Sequence, residues 1–393
     1  KKPQERRVAI ILHNYPPRND LIGSAHGLDT PNSLWNILQF LKEENYNLDF
    51  NFLNGQEIID ELIRRGTNEW KWTSPETIWK FKADKVSSKT YEGWYKNLPE
   101  FNRSDLKQKW GKPPGLSMIM NNHIVIPGII NGNIYIGLQP ARSPEDAVVE
   151  TYHDTHNPPP HSYLAFYKWI DKIFKADAVI HVGTHGTLEW LPGKEIALSK
   201  ESYPDINIYS IPHLYIYNLG ILGEGMQARR RSHAAILSHL IPSFTDSDTY
   251  DYLHEMEEDL EKYEHAKQSA PSQQDTIIQD IFKLADEHSI LKDLKIEYED
   301  AIKNPEQNLI LIHNWIHKIK NSVVRDGLHI YGKVPEKKRL LQLVRGLSVI
   351  GQEDTEGLED SIIISLGHNP KDIRKNLSDT EKNNFNEYKN YIL

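Results

Sequence analysis

Short apolar runs that stop abruptly at polar turns constrain the fold of this chain more than any other feature. Val8 to Leu12 follows charged residues and ends before the turn-forming segment Asn14-Tyr15-Pro16-Pro17, which predicts a short buried strand. A second run, Asp177 to Val182, ends at Gly183-Thr184-His185-Gly186 and predicts another buried strand. Because ligands bind beyond the carboxyl ends of strands in open α/β sheets, we expect the functional site at such a turn.

Helical periodicity follows the first run. Apolar residues recur at helical spacing from Leu34 to Leu41, Asp29 or Thr30 can cap this helix, and Pro31 fits its first turn. Residues 47–53 then resume an extended pattern. Strand, loop, helix and strand in this order predict the opening of a βαβ unit.

The amino-acid composition changes in the middle of the chain. Residues 64–116 carry five tryptophans among polar residues, which predicts an irregular or helical insertion whose aromatic side chains are either core or contacts to a ligand ring. Strands at 124–126 and 133–138 flank Asn131-Gly132, a good hairpin turn. The further predicted elements are a helix at 163–174, extended pieces at 206–217, and helices at 226–240, 250–268, 277–284 and 309–320.

These patterns predict an α/β fold of Rossmann-like parallel-sheet units with a Trp-rich insertion and a C-terminal α-helical region. We predict an α/β domain over 1–145 that contains the insertion at 64–116, and a second α/β unit over 146–245. The third region, 246–393, is predicted to be mainly helical and charged.

Composition excludes several classes of protein. A formal charge of −9 argues against a nucleic-acid surface, which is normally basic. No apolar run approaches the roughly 18 residues of a membrane span. The absence of cysteine rules out disulfides and thiolate metal sites and is compatible with a reducing cytoplasm, where we place the protein. Any metal must therefore be bound by His, Asp, Glu or Asn.

The strongest local signal follows the second predicted strand. His181, His185 and Glu189 fall within nine residues, and Gly183 and Gly186 let the backbone turn tightly and a flat ligand approach. Imidazole and carboxylate groups bind Co, Mg or Zn, and either group can accept a proton from a nitrogen. The alternative is that His181 is a core residue and His185 a turn residue bonded to a carbonyl.

Two further segments concentrate histidines. Residues 152–161 hold His153 and His161 in a stretch stiffened by three prolines, which is either a preorganised ligand site or a surface connection with solvated histidines. His13 and Asn14 open a long turn that runs to Asp29 and is rich in small residues. That turn can close over a ligand or bind an anion.

A fourth segment combines a glycine turn with a basic helix. Glu224, Gln227 and Arg230 lie within 223–233, where arginines suit a substrate that bears carboxylate side chains. A solvated basic helix face is the other interpretation. The sequence contains no Gly-x-x-x-x-Gly-Lys-Ser/Thr motif, so we do not expect the chain itself to hydrolyse ATP.

Together these motifs resemble the CobN and magnesium-chelatase H-subunit family. The matching stretches are Ile-Leu-His-Asn-Tyr-Pro-Pro-Arg at 11–18, Gly-Leu-Asp-Thr-Pro at 27–31, Pro-Pro-Pro-His-x-Tyr-Leu-Ala-Phe-Tyr at 158–167, His-Gly-Thr-Leu-Glu-Trp-Leu-Pro-Gly-Lys at 185–194, Gly-Glu-Gly-x-Gln-Ala-x-Arg-Arg at 223–231 and, more weakly, Gly-Leu-His-Ile-Tyr-Gly at 327–332. Leu-Glu-Trp-Leu-Pro-Gly is closer to the cobalt branch than to the magnesium branch, which typically has Leu-Glu-Phe-Met-Pro-Gly. Family members are much longer, so the resemblance implies a piece of a longer chain.

The resemblance implies a function. A tetrapyrrole ring binds in a cleft of this subunit, His185 and Glu189 line the cleft, and a separate AAA+ ATPase complex drives insertion of Co(II) or Mg(II) as the substrate metal. In this scheme Glu189, His185 and His181 are catalytic, with His185 and Glu189 as metal ligands. His13, Asn14, His153, His161, Glu224, Gln227 and Arg230 are the expected substrate-binding residues. No tightly bound cofactor is expected, because ATP is used by the partner. The function we expect is ATP-dependent insertion of Co(II) into a corrinoid such as hydrogenobyrinic acid a,c-diamide. The alternatives are magnesium insertion into protoporphyrin IX and a non-catalytic tetrapyrrole-binding module.

Overall fold

A computed structural model describes most of the chain. The described residues are 1–14, 19–66, 68, 74–142, 156–183, 186–194, 198–217, 222–240, 256, 259–260, 262–263, 266, 274–305, 307–309, 311–313, 315–316, 328–337, 339–341, 343–344, 357–365 and 369. They belong to two compact units. Unit 1 comprises residues 1–241 and 329–335, and unit 2 comprises residues 242–328 and 336–393.

A six-stranded sheet organises unit 1. Its strands are β1 (Val8–Leu12), β5 (Ile129–Asn131), β6 (Ile134–Leu138), β7 (Ala178–Val182), β8 (His213–Tyr217) and β9 (Ala235–Ser238). Their order across the sheet is β5-β6-β1-β7-β8-β9. All neighbouring pairs are parallel except the β5–β6 hairpin at the edge. The two strands predicted from apolar runs and the hairpin at Asn131-Gly132 are confirmed.

The first helices cover one face of this sheet. In α1 (Thr30–Glu43) the Asp29 side chain accepts a hydrogen bond from the backbone N–H of Asn32, as the cap prediction requires. Helix α2 (Gly55–Arg65) packs against α1. Apolar side chains of both helices form one core cluster with β1 and β6.

Residues 47–53 are not a strand, so the prediction of an extended segment there is wrong. The side chain of Asn131 satisfies this backbone instead of a neighbouring strand. Its Oδ1 accepts from the N–H groups of Asp49 and Phe50, and its Nδ2 donates to the carbonyl of Phe50. One buried amide therefore replaces a ladder of strand hydrogen bonds.

The insertion is more regular than the sequence predicts. It contains helices α3 (Pro75–Phe81), α4 (Ser88–Lys96) and α5 (Glu100–Trp110) and strand β2 (Asp84–Ser87). Strand β2 forms a small antiparallel sheet with β4 (His123–Ile126), which also pairs with β3 (Ile119–Met120). Trp94 and Trp110 pack against a second core cluster of unit 1, which supports the core interpretation of the aromatic residues.

The remaining elements of unit 1 complete the second half of the sheet. They are α6 (His161–Trp169), a π-helical turn (Ile170–Phe174), α7 (Tyr203–Ile208) and α8 (Leu222–Ser232). Two predictions are corrected. Part of 206–217 is helical, and the helix predicted over 226–240 ends at Ser232 because residues 235–238 pair with β8 as β9.

The sheet spans the domain boundary predicted at 145/146, because β1 hydrogen-bonds to β6 on one side and to β7 on the other. The division between the compact units follows Ile241, near the boundary predicted at 245/246. Unit 2 is helical where described, with α9 (Gln274–Glu287), α10 (Ile290–Asp293), α11 (Tyr298–Lys303) and α12 (Leu358–Ser365). Ile281 and Phe282 of α9 lie in its apolar core. Within the described residues, no helix is long and apolar enough to cross a bilayer.

Candidate functional site

The candidate site lies where the connections between strands change from one side of the sheet to the other. From β1 the chain runs to β6 on one side, whereas from β7 it runs to β8 on the other, so β1 and β7 flank the switch point at which α/β sheets bind ligands. His13 follows β1 and Gly183 follows β7. The N–H of His13 donates to the carbonyl of Val182 at 2.9 Å, and a Cβ on Gly183 would lie 2.3 Å from the Cβ of His13. Glycine at 183 is therefore required for the two strand ends to approach.

Glu189 lies on a short 3₁₀ turn, Leu188–Trp190, directly after this strand end. Glu189 is only 1% exposed to solvent. The Oε1 atom accepts hydrogen bonds from the backbone N–H of Gly186 at 3.3 Å and from the hydroxyl of Tyr215 at 3.2 Å. Tyr215 belongs to β8, the strand next to β7, so the sheet itself orients the carboxylate.

A glutamine holds the turn from the other side. Gln139 follows β6, and its Oε1 accepts from the backbone N–H of Thr187 at 2.8 Å and from the Thr187 hydroxyl at 3.1 Å. The hydroxyls of Thr187 and Tyr163 lie 3.0 Å apart. The turn that carries Glu189 is therefore anchored to strands on both sides of β1.

A chain of buried polar side chains continues from Gln139. Its Nε2 donates to the hydroxyl oxygen of Tyr167 at 2.9 Å, and that hydroxyl lies 2.8 Å from Nε2 of His181. Nδ1 of His181 lies 2.7 Å from Nε2 of His213. Nδ1 of His213 lies 3.0 Å from the carbonyl oxygen of Ser232. We call Gln139, Tyr167, His181 and His213 the relay.

Burial keeps the relay neutral. It holds the pKa of His181 well below the usual value, and the nearby His213 and His13 rings lower it further. Burial also lowers the pKa of His213 to about 4, opposed by the hydrogen bond to Ser232. The pKa of Tyr215 is raised, first by burial and then by the charge of Glu189. His181, His213 and Tyr215 are thus uncharged at neutral pH.

Four of the sequence-predicted residues meet at this edge of the sheet: Glu189, His181, His13 and Asn14. Oδ1 of Asn14 accepts from Nδ2 of Asn68 at 2.9 Å, and the same nitrogen donates to the carbonyl of Gln139 at 2.8 Å. Asn14 is therefore linked through Asn68 to the residue that anchors the Glu189 turn.

His161 is placed differently. It begins α6 and faces the insertion, where its Nδ1 lies 2.8 Å from the hydroxyl of Tyr91 and its Nε2 lies 3.1 Å from the carbonyl oxygen of Gly111. Because a carbonyl only accepts, Nε2 carries the proton and Nδ1 accepts from Tyr91. Burial lowers the pKa of His161. Both nitrogens are thus engaged within the fold.

Helix α8 packs against the Glu189 turn. Arg230 is exposed, and Gln227 is partly buried, with an Oε1 that has no hydrogen-bond partner in the described part of the chain. Arg231, the last residue of the 223–231 motif, is buried and donates to the carbonyl of Leu191 at 2.5 Å. It ties α8 to the segment that follows Glu189.

His185, His153 and the side chain of Glu224 lie outside the described residues, so the metal pair of His185 and Glu189 stays a prediction. Within the part of the chain that the structure describes, no group of three or more His, Asp or Glu side chains is arranged to hold a metal ion.

The sequence predicted no role for Gln139, His213, Tyr215 or Tyr167, although Tyr167 is the last residue of the family motif at 158–167. A signal for two of them was present, because His213, Tyr215 and Tyr217 alternate along β8 and place polar groups on one face of a buried strand. Gln139 and Tyr167 lie in different elements, and their contact depends on tertiary structure.

Comparison with known proteins gives several relatives. An uncharacterised protein of Methanocaldococcus jannaschii is 40% identical over 346 residues, which cover 88% of this chain and 28% of that protein. The aerobic cobaltochelatase subunit CobN of Pseudomonas aeruginosa is 32% identical over 93% of this chain and 29% of that protein. The chloroplastic magnesium-chelatase subunit ChlH of Oryza sativa is 29% identical over 95% of this chain and 26% of that protein.

A solved structure is also similar. The catalytic subunit of cobaltochelatase from Mycobacterium tuberculosis superimposes with a TM-score of 0.65 at 31% identity, covering 92% of this chain and 31% of that one. This chain thus spans less than a third of the length of these relatives. The family model described as CobN/Magnesium Chelatase matches residues 1–391, and the chain belongs to that family.

Proposed function

We propose that this chain is the porphyrinoid-binding catalytic part of an ATP-dependent metal chelatase, which inserts Co(II) into a corrinoid such as hydrogenobyrinic acid a,c-diamide in cobalamin biosynthesis. The observation that carries the proposal is the buried Glu189 carboxylate at the switch point of the sheet, held by Gly186 and Tyr215. The names of its relatives, cobaltochelatase and magnesium-chelatase subunits, support the reaction class.

The chemistry needs a proton acceptor. Insertion of a divalent metal into a tetrapyrrole displaces N–H protons from the ring nitrogens. A carboxylate shielded from bulk water is suited to accept one of them as the metal enters, and any further proton passes to water. We assign this role, and that of guiding the metal, to Glu189, with His185 as the second metal ligand. His181 assists indirectly because both of its ring nitrogens are already engaged.

The ring is expected to lie over the carboxyl ends of β1 and β7. His13 and Asn14 line this edge, and we propose that Gln227 and Arg230 on α8, with Glu224 and His153, bind the peripheral groups of the ring. The exposed guanidinium of Arg230 suits a carboxylate side chain. His161 shapes the cleft only through the insertion, to which it is bonded.

We propose that the energy for insertion comes from a partner. The chain has no phosphate-binding Gly-x-x-x-x-Gly-Lys-Ser/Thr motif, so we propose that separate AAA+ ATPase subunits hydrolyse ATP in the cytoplasm. The acidic helical half of the chain is a candidate surface for their docking, which a pull-down with protein lacking residues 246–393 tests.

The test is substitution of Glu189 by Gln in the full-length polypeptide supplied with its ATPase. The amide keeps the size of the side chain but cannot accept a proton, so we expect metal insertion to fall by about 100-fold or more while ring binding persists. Glu43→Gln is the matched control, since Glu43 is exposed at the end of α1. Insertion at the wild-type rate by the Glu189 variant would show that the assigned role is wrong.

The alternative substrate pair is Mg(II) and protoporphyrin IX, as in the magnesium-chelatase relatives. Fluorescence-quenching titration with a corrinoid and with protoporphyrin IX separates the two, because the preferred ring should bind at least about tenfold more tightly. A non-catalytic tetrapyrrole-binding module is the remaining candidate. It predicts ring binding without metal insertion, even with ATPase and ATP present.

A further inference from the structure

We infer that the relay, Gln139, Tyr167, His181 and His213, is a one-way hydrogen-bond chain that positions the turn carrying Glu189, with His213 and Tyr167 as positioning residues for the reaction. This inference rests on the proposed function, because positioning matters only if Glu189 acts on a bound ring. It gives a role to three residues to which the motifs and the family resemblance assigned none: Gln139, His213 and Tyr167, the last residue of the 158–167 motif.

The direction of this hydrogen-bond chain is fixed at the end where His213 meets Ser232. Nδ1 of His213 faces the carbonyl oxygen of Ser232, which can only accept, so Nδ1 carries the proton. In the neutral ring Nε2 of His213 is then a bare acceptor. Nδ1 of His181 must therefore donate to it, which leaves Nε2 of His181 bare as well. One carbonyl thus selects the tautomers of two histidines.

The same direction continues to the Glu189 turn. The Tyr167 hydroxyl donates its single hydrogen to Nε2 of His181, so its oxygen is left to accept from Nε2 of Gln139. This orients the amide of Gln139 with Oε1 toward Thr187, whose N–H and hydroxyl both donate to it. Reversal of any link would place two donors or two acceptors against each other in a buried site.

The other end of the hydrogen-bond chain, where Gln139 meets Thr187, is fixed independently. A backbone N–H can only donate, so the N–H of Thr187 requires an oxygen, not the NH₂, of Gln139 at this position. The Thr187 end thus fixes the amide of Gln139, the Ser232 end fixes the two histidines, and the two orientations are compatible at the Tyr167 hydroxyl. Agreement of both ends is what distinguishes a directed chain from a set of separate contacts.

A second path runs through ring contacts. Tyr215, which donates to Glu189, stacks on His213 with ring centroids 5.5 Å apart and lies 5.6 Å from the ring of His181. Loss of His213 would therefore disturb both the Gln139–Thr187 anchor and the phenol that holds the carboxylate. The relay does not export protons, because it ends at a backbone carbonyl.

The first experiment is hydrogen–deuterium exchange of the Thr187 amide, read by mass spectrometry on overlapping peptides that begin at least two residues before Thr187. Tyr167→Phe removes the acceptor that orients Gln139, so we expect the exchange of this amide to speed up by about tenfold. The matched control is Tyr135→Phe. Tyr135 is equally buried, and its hydroxyl donates to the carbonyl of Pro127, away from the relay. Unchanged exchange in the Tyr167 variant would overturn the inference.

The second experiment separates positioning from packing. In the full-length polypeptide with its ATPase, His213→Leu should lower kcat for metal insertion by about tenfold and leave KM for the ring within about twofold. His213→Gln should recover most of kcat, because an amide supplies both an acceptor for His181 and a donor for Ser232. Equal losses in the Leu and Gln variants, or no loss in either, would overturn the positioning role.

The two proposals fail differently. A wild-type protein that binds neither a corrinoid nor protoporphyrin IX would overturn the proposed function and, with it, the role of the relay in a reaction. A wild-type protein that inserts metal, combined with faster Thr187 exchange but wild-type kcat in Tyr167→Phe, would overturn the inference alone.

Discussion

The buried histidines should make this chain sensitive to mild acid. In the folded protein the pKa of His213 is about 4, against an ordinary value of 6.5. Between these values the unfolded chain binds a proton that the folded chain does not, so the free energy of unfolding falls as the pH falls. The loss begins near the ordinary pKa and is complete below about pH 4.

The magnitude follows from the shift. One pKa unit corresponds to about 1.4 kcal/mol, so acidification from about pH 7.5 to about pH 4.5 should cost about 2.5 kcal/mol through His213. Urea denaturation followed by tryptophan fluorescence reports unit 1, because every tryptophan except Trp315 lies in it. The variant His213→Gln cannot titrate at this position and provides the reference.

The comparison removes the titration of His213. The surface carboxylates are present in both proteins, and their contributions largely cancel in the difference. The pKa of His181 changes in the variant only by the loss of the effect of His213, which is smaller than that of burial. We expect the wild type to lose about 2 to 3 kcal/mol more than His213→Gln over this pH range. Equal losses in the two proteins would refute the claim that His213 is buried in the neutral form.

Three further predictions concern stability and use the same urea assay at neutral pH. Asp29→Ala removes the cap of α1, in which the carboxylate accepts from the N–H of Asn32 at 3.0 Å, and should cost about 1 kcal/mol; no loss would mean that the cap is dispensable. Gly93→Ala in α4 adds a Cβ with nothing within 4 Å and should stabilise unit 1 by about 0.5–1 kcal/mol; a destabilised variant would contradict the open space. Gly183→Ala places its Cβ 2.3 Å from the Cβ of His13 and should cost about 1–3 kcal/mol or more, so an unaffected stability would contradict the close approach of the two strand ends.

Local signals in the sequence predicted much of unit 1. The strand at Val8–Leu12, the helix that begins after Asp29 and the hairpin at Asn131-Gly132 all depend on neighbouring residues, through periodicity, capping and turn conformation. Errors arose where a distant group intervened. Residues 47–53 are a loop because Asn131 satisfies their backbone, and residues 235–238 are a strand because β8 pairs with them.

The same distinction holds for the candidate site. The position of Glu189 after a strand and a glycine-bracketed turn is visible in the sequence, as is its place in a motif shared with a family of chelatase subunits. The partners of Glu189 are not. Tyr215 comes from the neighbouring strand and Gln139, which anchors the turn, from the end of another strand, and no spacing rule connects them.

His161 shows the limit most clearly, because a histidine in a proline-rich motif has the same sequence signature whether it binds a ligand or supports the fold. The sequence by itself determined the local elements, the absence of thiol chemistry and the family. Only the tertiary structure decided that His161 bonds to Tyr91 and Gly111, and that His181 is engaged at both nitrogens. The physical reason is that propensity and capping act over a few residues, whereas the partners of a buried polar group are set by how strands from distant parts of the chain are ordered in the sheet.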